Sequence, residues 1–287
     1  MIQGLSDKVK LYNGVEMPGI GFGVWQIPQD ATAECVKLAL KAGYRNIDTA
    51  AVYHNEKQVG EGIRQAMQEF GIKREDIFVS TKLWNDHRGY ELAIEAIETS
   101  IENLGLDYID LHMLHWPAVQ KWHGDWRAIN KDTYKALEVY YKKGLLKSIG
   151  VANYLTHHIE ALMEDSEVSP MVNQIEYHPG FGQVETAAFC QAHGIVVEAW
   201  SPLGTGDVLK NEKLKRIADQ YGKTTAQVCL RWLIQKGVVP LPKSVHEERL
   251  VSNLRVFDFE LSGRDMAEID RLPYCGGMRF NPDVAKS

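Results

Sequence analysis

Along this chain, short runs rich in apolar and β-branched residues alternate with longer stretches of helical periodicity. The short runs are Ile20–Gly23, Asn46–Asp48, Ile77–Thr81, Ile109–Leu114, Ser148–Val151, Val172–Glu176, Val196–Trp200 and Val238–Pro240. The stretches between them carry apolar residues on one helical face, as Val36, Ala39 and Leu40 do in Ala31–Ala42. Val59–Phe70, Leu92–Leu104, Lys135–Lys143, Ile159–Glu164, Glu185–His193 and Ala226–Gln235 follow the same pattern. Lys213–Tyr221 reads as an additional helix, and Glu247–Leu254 follows the eighth run. This alternation is the mark of parallel βα units. Ahead of them, Val9–Tyr12 and Val15–Met17 flank Asn13-Gly14, a two-residue hairpin turn signal. Ser262–Arg271 forms a capped terminal helix, with Ser262 at its start and Asp265 three residues on.

Eight strands, each followed by helix, predict an α/β fold: a closed (β/α)8 TIM barrel with an N-terminal β-hairpin and an additional C-terminal helix. An open doubly wound sheet usually has fewer strands in one domain. A barrel of this kind takes about 250 residues, so the 287 residues are read as a single domain over 1–287. On length alone, two domains of about 150 residues would also fit. The barrel reading directs attention to the C-terminal strand ends, where barrel enzymes place their chemistry.

The bulk numbers narrow the function classes. At 45% hydrophobic and 24% charged residues, the chain has material for a large core. A net charge of −6 argues against nucleic-acid binding, which needs a basic patch or stripe. No apolar run is long enough to span a bilayer, and the N-terminal stretch MIQGLSDKVK has no signal-peptide core. The four cysteines, Cys35, Cys190, Cys229 and Cys275, are far apart and form no CxxC pair. A soluble protein of the reducing cytoplasm is expected, with no nucleic-acid or membrane partner.

Polar residues gather at the strand ends. The second strand leads through Asp48 to Tyr53, the third ends at Lys82, and the fourth runs into His115. Singly, each has a plain structural explanation: a cap, a solvated charge, a packing ring, a satisfied core histidine. Together, at neighbouring strand tops around one mouth, they form a proton-transfer set. A tyrosine with its ordinary pKa of about 10 is a weak acid at neutral pH. An ammonium beside it lowers that value. Lys82 is placed to do so, Asp48 to keep Lys82 charged, and His115 to donate a hydrogen bond to a carbonyl oxygen.

Several segments, in this order, resemble the aldo-keto reductase family. They are Tyr44-Arg45-Asn46-Ile47-Asp48-Thr49-Ala50 with Tyr53 and Asn55-Glu56, then Lys82-Leu83-Trp84, Leu114-His115-Trp116-Pro117 and Gly150-Val151-Ala152-Asn153-Tyr154. Asn173-Gln174-Ile175-Glu176 and Pro242-Lys243-Ser244-Val245 complete the set, so the likeness runs from about residue 8 to residue 272. It implies a TIM barrel, a nicotinamide cofactor extended across its mouth, and NADPH-dependent reduction of an aldehyde or ketone to an alcohol. It also implies roles: Tyr53 as general acid, Lys82 and Asp48 as its tuners, His115 as the orienting donor. The cofactor carries the hydride and the protein supplies orientation and a matched acid.

The same resemblance puts Asn153 and Gln174 on the nicotinamide carboxamide and stacks Trp200, where the family often has Tyr, on the ring. Ser201, Leu203 and Gly204 form a loop whose amides would face the pyrophosphate. Lys243, Ser244, Val245 and Arg249 lie where an adenosine 2′-phosphate would sit, beside a helix start. That pairing favours NADPH over NADH, and Asn253 would reach the adenine. Two positions depart from the family: Ala152 replaces a Ser that helps hold the carboxamide, and Ser252 replaces a Glu that meets the adenine.

Trp25, Trp84 and Trp116 follow strand tops and, with His115, are the candidate substrate wall. Trp122, His123 and Trp126 occupy an unusual loop near them. The short tail beyond Ser262 suggests an open site for small carbonyls, with glyoxals, keto-sugars or a prostaglandin endoperoxide as candidate substrates. Family members of this kind act as monomers. The same barrel also serves as a non-catalytic NADPH-binding, redox-sensing module in ion-channel β-subunits, and this is the alternative reading. A metal-dependent hydrolase fits less well. His112 and His115 face opposite sides of a strand, and His157-His158 has no carboxylate cluster in sequence, so no metal is expected. The run Gly19-Ile20-Gly21-Phe22-Gly23 with Asp48 imitates a dinucleotide-binding fingerprint. It fails because Val24 occupies the third glycine position and no helix start follows.

Overall fold

The computed structural model describes residues 2–284. Eight strands run parallel in sequence order: β3 (Phe22–Gly23), β4 (Asn46–Asp48), β5 (Phe78–Leu83), β6 (Ile109–Leu114), β7 (Leu146–Ala152), β8 (Val172–Glu176), β9 (Val196–Trp200) and β10 (Val239–Pro240). Each pairs with the next, β3 with β4 through to β9 with β10. Two backbone bonds join the ends of the row: Gly21 N–H donates to the Pro240 carbonyl at 2.9 Å, and Gly23 N–H to that of Pro242 at 3.2 Å. At Gly21 a Cβ would lie 2.4 Å from Leu241 Cδ2 and 2.9 Å from Asn46 Cγ. The glycine run is thus a close strand crossing at the barrel seam.

The hairpin, β1 (Lys8–Lys10) and β2 (Glu16–Pro18), is present with Val9 opposite Met17. Its connection is not the expected two-residue turn but the longer loop Leu11–Val15. Asn13 explains this. Its Oδ1 accepts from Val15 N–H at 3.1 Å, and its Nδ2 donates to the Lys147 carbonyl at 3.0 Å. The side chain that would shape a tight turn instead anchors the loop near the start of β7 (Leu146–Ala152). Leu11 and Met17 are buried there.

Among the described residues, ten α-helices cover the sheet: α1 (Gln29–Ala42), α2 (Glu56–Phe70), α3 (Tyr90–Leu104), α4 (Trp126–Lys142), α5 (Thr156–Asp165), α6 (Val184–Ala192), α7 (Glu212–Tyr221), α8 (Thr225–Gln235), α9 (Glu247–Leu254) and α10 (Gly263–Asp270). The boundaries follow the apolar periodicity closely except in α4, which starts well before the expected Lys135. Asp125 accepts from Ala128 N–H at its start. One turn later the Asn130 carboxamide bonds both Ala118 N–H and the Ala118 carbonyl. Polar capping extends this helix beyond its apolar stripe. The terminal helix is capped as expected, Ser262 Oγ accepting from Asp265 N–H at 3.1 Å. No helix among the described residues is long and apolar enough to cross a membrane.

The α2–α3 contact depends on one glycine. A Cβ on Gly60 would sit 1.9 Å from the Leu104 carbonyl oxygen, a backbone atom that cannot swing aside. Gly60→Ala is expected to destabilise the fold by about 3 kcal/mol through overpacking. Urea unfolding measures this, and a loss below about 1 kcal/mol would show that the two helices slide apart freely.

Candidate active site

Strand alternation sets the site. Asn46 and Asp48 lie two apart on β4, and Ser80 and Lys82 two apart on β5, so each pair shares a face. The intervening Thr81 points the other way, its hydroxyl donating to Glu56 of α2 at 2.7 Å. Inside the barrel, Lys82 Nζ lies 2.8 Å from both Asp48 oxygens and 2.9 Å from the Thr49 carbonyl. All three ammonium hydrogens have acceptors, which a Lys only 1% exposed requires. Asp48 Oδ2 also accepts from Ser80 Oγ and Gln174 Nε2, both at 2.9 Å.

Tyr53 closes the short 3-10 turn Ala51–Tyr53 and places its ring 5.4 Å from Lys82 Nζ. His115 lies just past β6, its ring edge-on to Tyr53 at 5.8 Å and to Trp84 at 5.0 Å. The four expected residues therefore meet at one mouth.

Burial raises the Tyr53 phenol above its ordinary value, and the Lys82 ammonium, which pulls it down, does not cancel the effect. Asp48, which grips Lys82 with both oxygens, adds to the rise. Tyr53 is thus a firmly protonated phenol at neutral pH. Burial alone would strip the charge from Lys82, yet Asp48, Tyr53 and Glu198 more than offset it and hold the ammonium above its usual range. Burial, then the Lys82 charge, drives His115 well below the usual histidine range, so its imidazole is neutral.

Among the expected cofactor residues, Asn153 and Gln174 lie beside this cluster and Trp200 joins them. Asn153 adopts a left-handed φ of 63°. Its Nδ2 donates to the His115 carbonyl at 3.0 Å, and its Oδ1 accepts from Trp200 Nε1 at 2.8 Å. Gln174 Nε2 donates to Asp48 and to Glu198, leaving its Oε1 as the atom that accepts nothing. In the Ser201, Leu203 and Gly204 loop, Gly204 N–H is held by the Ser201 carbonyl at 2.8 Å, so that amide does not face outward as expected. Lys243 and Arg249 are exposed near the start of α9, and no ion pair involves either among the described residues. Ser244 and Asn253 are buried and Val245 exposed.

Trp84 and Trp116 are half-buried at the mouth, whereas Trp25 makes no ring contact with them among the described residues. The tail, expected to leave the mouth open, lies along its rim. Glu176, at the end of β8, accepts from Met278 N–H at 2.6 Å and Arg279 N–H at 2.8 Å. Phe280 then packs edge-on against Trp116 at 6.0 Å, and Trp122 Nε1 donates to the Val284 carbonyl at 3.2 Å.

The tail also brings Asp283 to His157 and His158, at 3.0 and 3.3 Å, supplying the carboxylate that the sequence neighbourhood lacks. A metal reading still fits this trio poorly. His158 Nδ1 accepts from Leu155 N–H at 3.2 Å, so the hydrogen of the neutral ring sits on Nε2 and points at Asp283. Burial, then His157, lowers the His158 pKa to about 3, which keeps that ring neutral. The trio clasps the tail to α5.

Sequence reading missed Glu198 of β9, fully buried and bonded by Gln174 Nε2 at 3.0 Å and Asn46 Nδ2 at 3.1 Å. Burial, then the Asp48 charge, raises its carboxyl to about 7. The signal was available: a glutamate inside an otherwise apolar strand, at the register position opposite Gln174.

An eight-stranded parallel barrel with a lysine, a carboxylate, a tyrosine and a histidine at its C-terminal mouth defines a class of barrel oxidoreductase. The Aldo/keto reductase family model matches residues 18–273. Glyoxal reductase of Bacillus subtilis (strain 168) is 48% identical over 284 residues, 99% of each chain. The 9,11-endoperoxide prostaglandin H2 reductase of Trypanosoma cruzi (strain CL Brener) is 45% identical over 268 residues, covering 92% of this chain and 90% of that protein. The structure of a Bombyx mori aldo-keto reductase in complex with NADP superposes with a TM-score of 0.86 at 35% identity, covering 94% of this chain and 93% of that one. The chain belongs to the aldo/keto reductase family, and carbonyl reduction is the activity of its class.

The Lys82–Asp48 pair is also a stability element. Lys82→Met leaves the Asp48 carboxylate buried without its cation and is expected to cost about 3–5 kcal/mol. The double variant Asp48→Asn with Lys82→Met should regain most of that loss in urea unfolding. Additive losses would show that the two groups do not act as a pair.

Proposed function

We propose that this protein reduces small aldehydes and ketones, glyoxals first among them, with NADPH, acting as a monomer with Tyr53 as the general acid. The observation that carries this reading is the buried Lys82–Asp48 pair set beneath a protonated Tyr53 and beside a neutral His115. Every residue of the set comes from one chain.

The described residues fit a nicotinamide dinucleotide. Gln174 Oε1 is an acceptor without a donor, suited to the N–H of a carboxamide. Asn153 stands next to it, and Trp200 offers a half-buried ring for stacking. Lys243 and Arg249 supply two unengaged cations for the adenosine 2′-phosphate, with Ser244, Val245 and Asn253 beside them. Ser201, Leu203 and Gly204 form the connecting loop. When bound, the cofactor supplies the hydride.

The remaining steps belong to the side chains. His115, neutral and held edge-on by Tyr53 and Trp84, donates one N–H to the carbonyl oxygen and orients it. Tyr53 delivers its proton to that oxygen as negative charge develops there. An alkoxide is a far stronger base than a phenolate, so a phenol with a raised pKa still gives up its proton readily at that moment. The Lys82 ammonium stabilises the phenolate left behind. Trp84, Trp116 and Phe280 wall the mouth with apolar surface. The likeness to a glyoxal reductase supports the glyoxal class.

Two experiments test this reading. NADPH oxidation with methylglyoxal should proceed in the native protein, and Tyr53→Phe should lower kcat by about 100-fold or more with NADPH binding retained. Binding without turnover in the native protein would sink the reductase reading and favour the non-catalytic sensor. Equal turnover in both proteins would remove Tyr53 from the acid role. Arg249→Ala should raise the KM for NADPH about tenfold and leave that for NADH unchanged. An equal change for both cofactors would mean that Arg249 does not meet a 2′-phosphate.

A further inference from the structure

Two buried carboxylates share one amide inside this barrel. The two hydrogens of Gln174 Nε2 go to Asp48 Oδ2 at 2.9 Å and to Glu198 Oε2 at 3.0 Å. The Asp48 carboxylate only accepts, so an amide turned half-way round would press its oxygen against it. The nitrogen is therefore pinned, and Oε1 is the polar atom left to meet something else. Glu198 supplies half of this clamp.

Its own surroundings are sparse. Glu198 is fully buried on β9, and its other bond comes from Asn46 Nδ2 at 3.1 Å. The charged groups facing it are Asp48 of β4, which opposes its ionisation, and Lys82 of β5, which favours it. The two amides, on β4 and β8, are neutral. Lys82 is already held by Asp48 and the Thr49 carbonyl, so Glu198 has no cation of its own. A buried acid in this position costs stability whenever it ionises. An apolar residue would pack there without that cost, which points to a use.

We propose that Glu198 is a positioning residue for hydride transfer: with Asp48 it fixes the Gln174 carboxamide toward the nicotinamide amide, and loss of its proton adds a negative charge beside that amide which favours oxidised over reduced cofactor. The inference rests on the nicotinamide reading of the site. The oxidised ring is positively charged and the reduced ring is not, so a charge added in this water-poor interior acts on one form only. The value of about 7 for the carboxyl puts the change in the physiological range. Asn46 can serve both states. Its amide donates to the ionised acid, and its Oδ1, which has no partner, could accept from the protonated one if the amide turned over.

The test is the pair of dissociation constants for NADP+ and NADPH, read from quenching of tryptophan fluorescence in the full chain between about pH 6 and about pH 8. Titration of the 2′-phosphate is common to both forms and cancels in their ratio. In the native protein the ratio of the NADPH constant to the NADP+ constant should rise about fivefold across that range. In Glu198→Gln, which keeps the shape and removes the proton, it should stay flat.

Melting temperature over pH gives a readout independent of cofactor. A carboxyl raised in the folded state contributes stability that is full below its unfolded value and lost as pH rises through the folded one. The native protein should therefore lose stability between about pH 4.5 and about pH 7 that Glu198→Gln does not lose. A constant ratio in the native protein, or an equal shift in both proteins, overturns the proposal even where both cofactors bind well. Binding of neither cofactor overturns the nicotinamide reading and this proposal with it. Should Glu198→Gln fail to fold, a flat native ratio still overturns the proposal.

Discussion

The rest of the site is arranged around a single buried ammonium. Lys82 is taken fully out of water and given three acceptors in return, two from Asp48 and one from the Thr49 carbonyl. A lysine in this position would otherwise lose its charge. Holding it fixes Asp48, which then recruits Ser80 and Gln174. Gln174 in turn reaches Glu198, and Glu198 reaches Asn46. The polar interior is one connected network, and networks of this kind are stable only when nearly every member is satisfied.

That network depends on the barrel closing. Asn46 and Asp48 share a face of β4, while Gln174 and Glu198 lie opposite each other on β8 and β9. These strands are far apart in sequence order, and only a ring brings them into contact across its interior. The seam between Gly21–Gly23 and Pro240–Pro242 completes the ring. A side chain at Gly21 would collide with Asn46 itself, so the seam and the network constrain each other.

Much of this was readable in the sequence. The eight apolar runs gave the strands, because a strand short enough to line a barrel and covered by helices leaves an apolar signature. Asp48, Tyr53, Lys82 and His115 stood out because each is a polar group at a strand end. What escaped notice has common causes. Glu198 lies within a strand whose other residues are apolar. Asn13-Gly14 signals a tight turn locally, but the Lys147 carbonyl, distant in sequence, claims the Asn13 side chain. The start of α4 is set by the Asp125 cap, with Asn130 tying the helix to Ala118, and apolar periodicity registers neither. Asp283 joins His157 and His158 only because Glu176 folds the tail back over the rim.

The balance of charge in the pocket follows from the same geometry. Burial raises the Tyr53 phenol by more than the Lys82 ammonium lowers it, and Asp48 adds to the rise. Tyr53 consequently keeps its proton with a raised pKa instead of approaching neutrality. For proton delivery to a nascent alkoxide this is a workable arrangement, since the driving force comes from the base that the reaction creates. A phenol lowered toward neutral pH would stand partly ionised before substrate arrived, with no proton to give in that fraction of molecules. On the proposed reading, Lys82 thus stands where the phenolate would form without drawing the proton away beforehand.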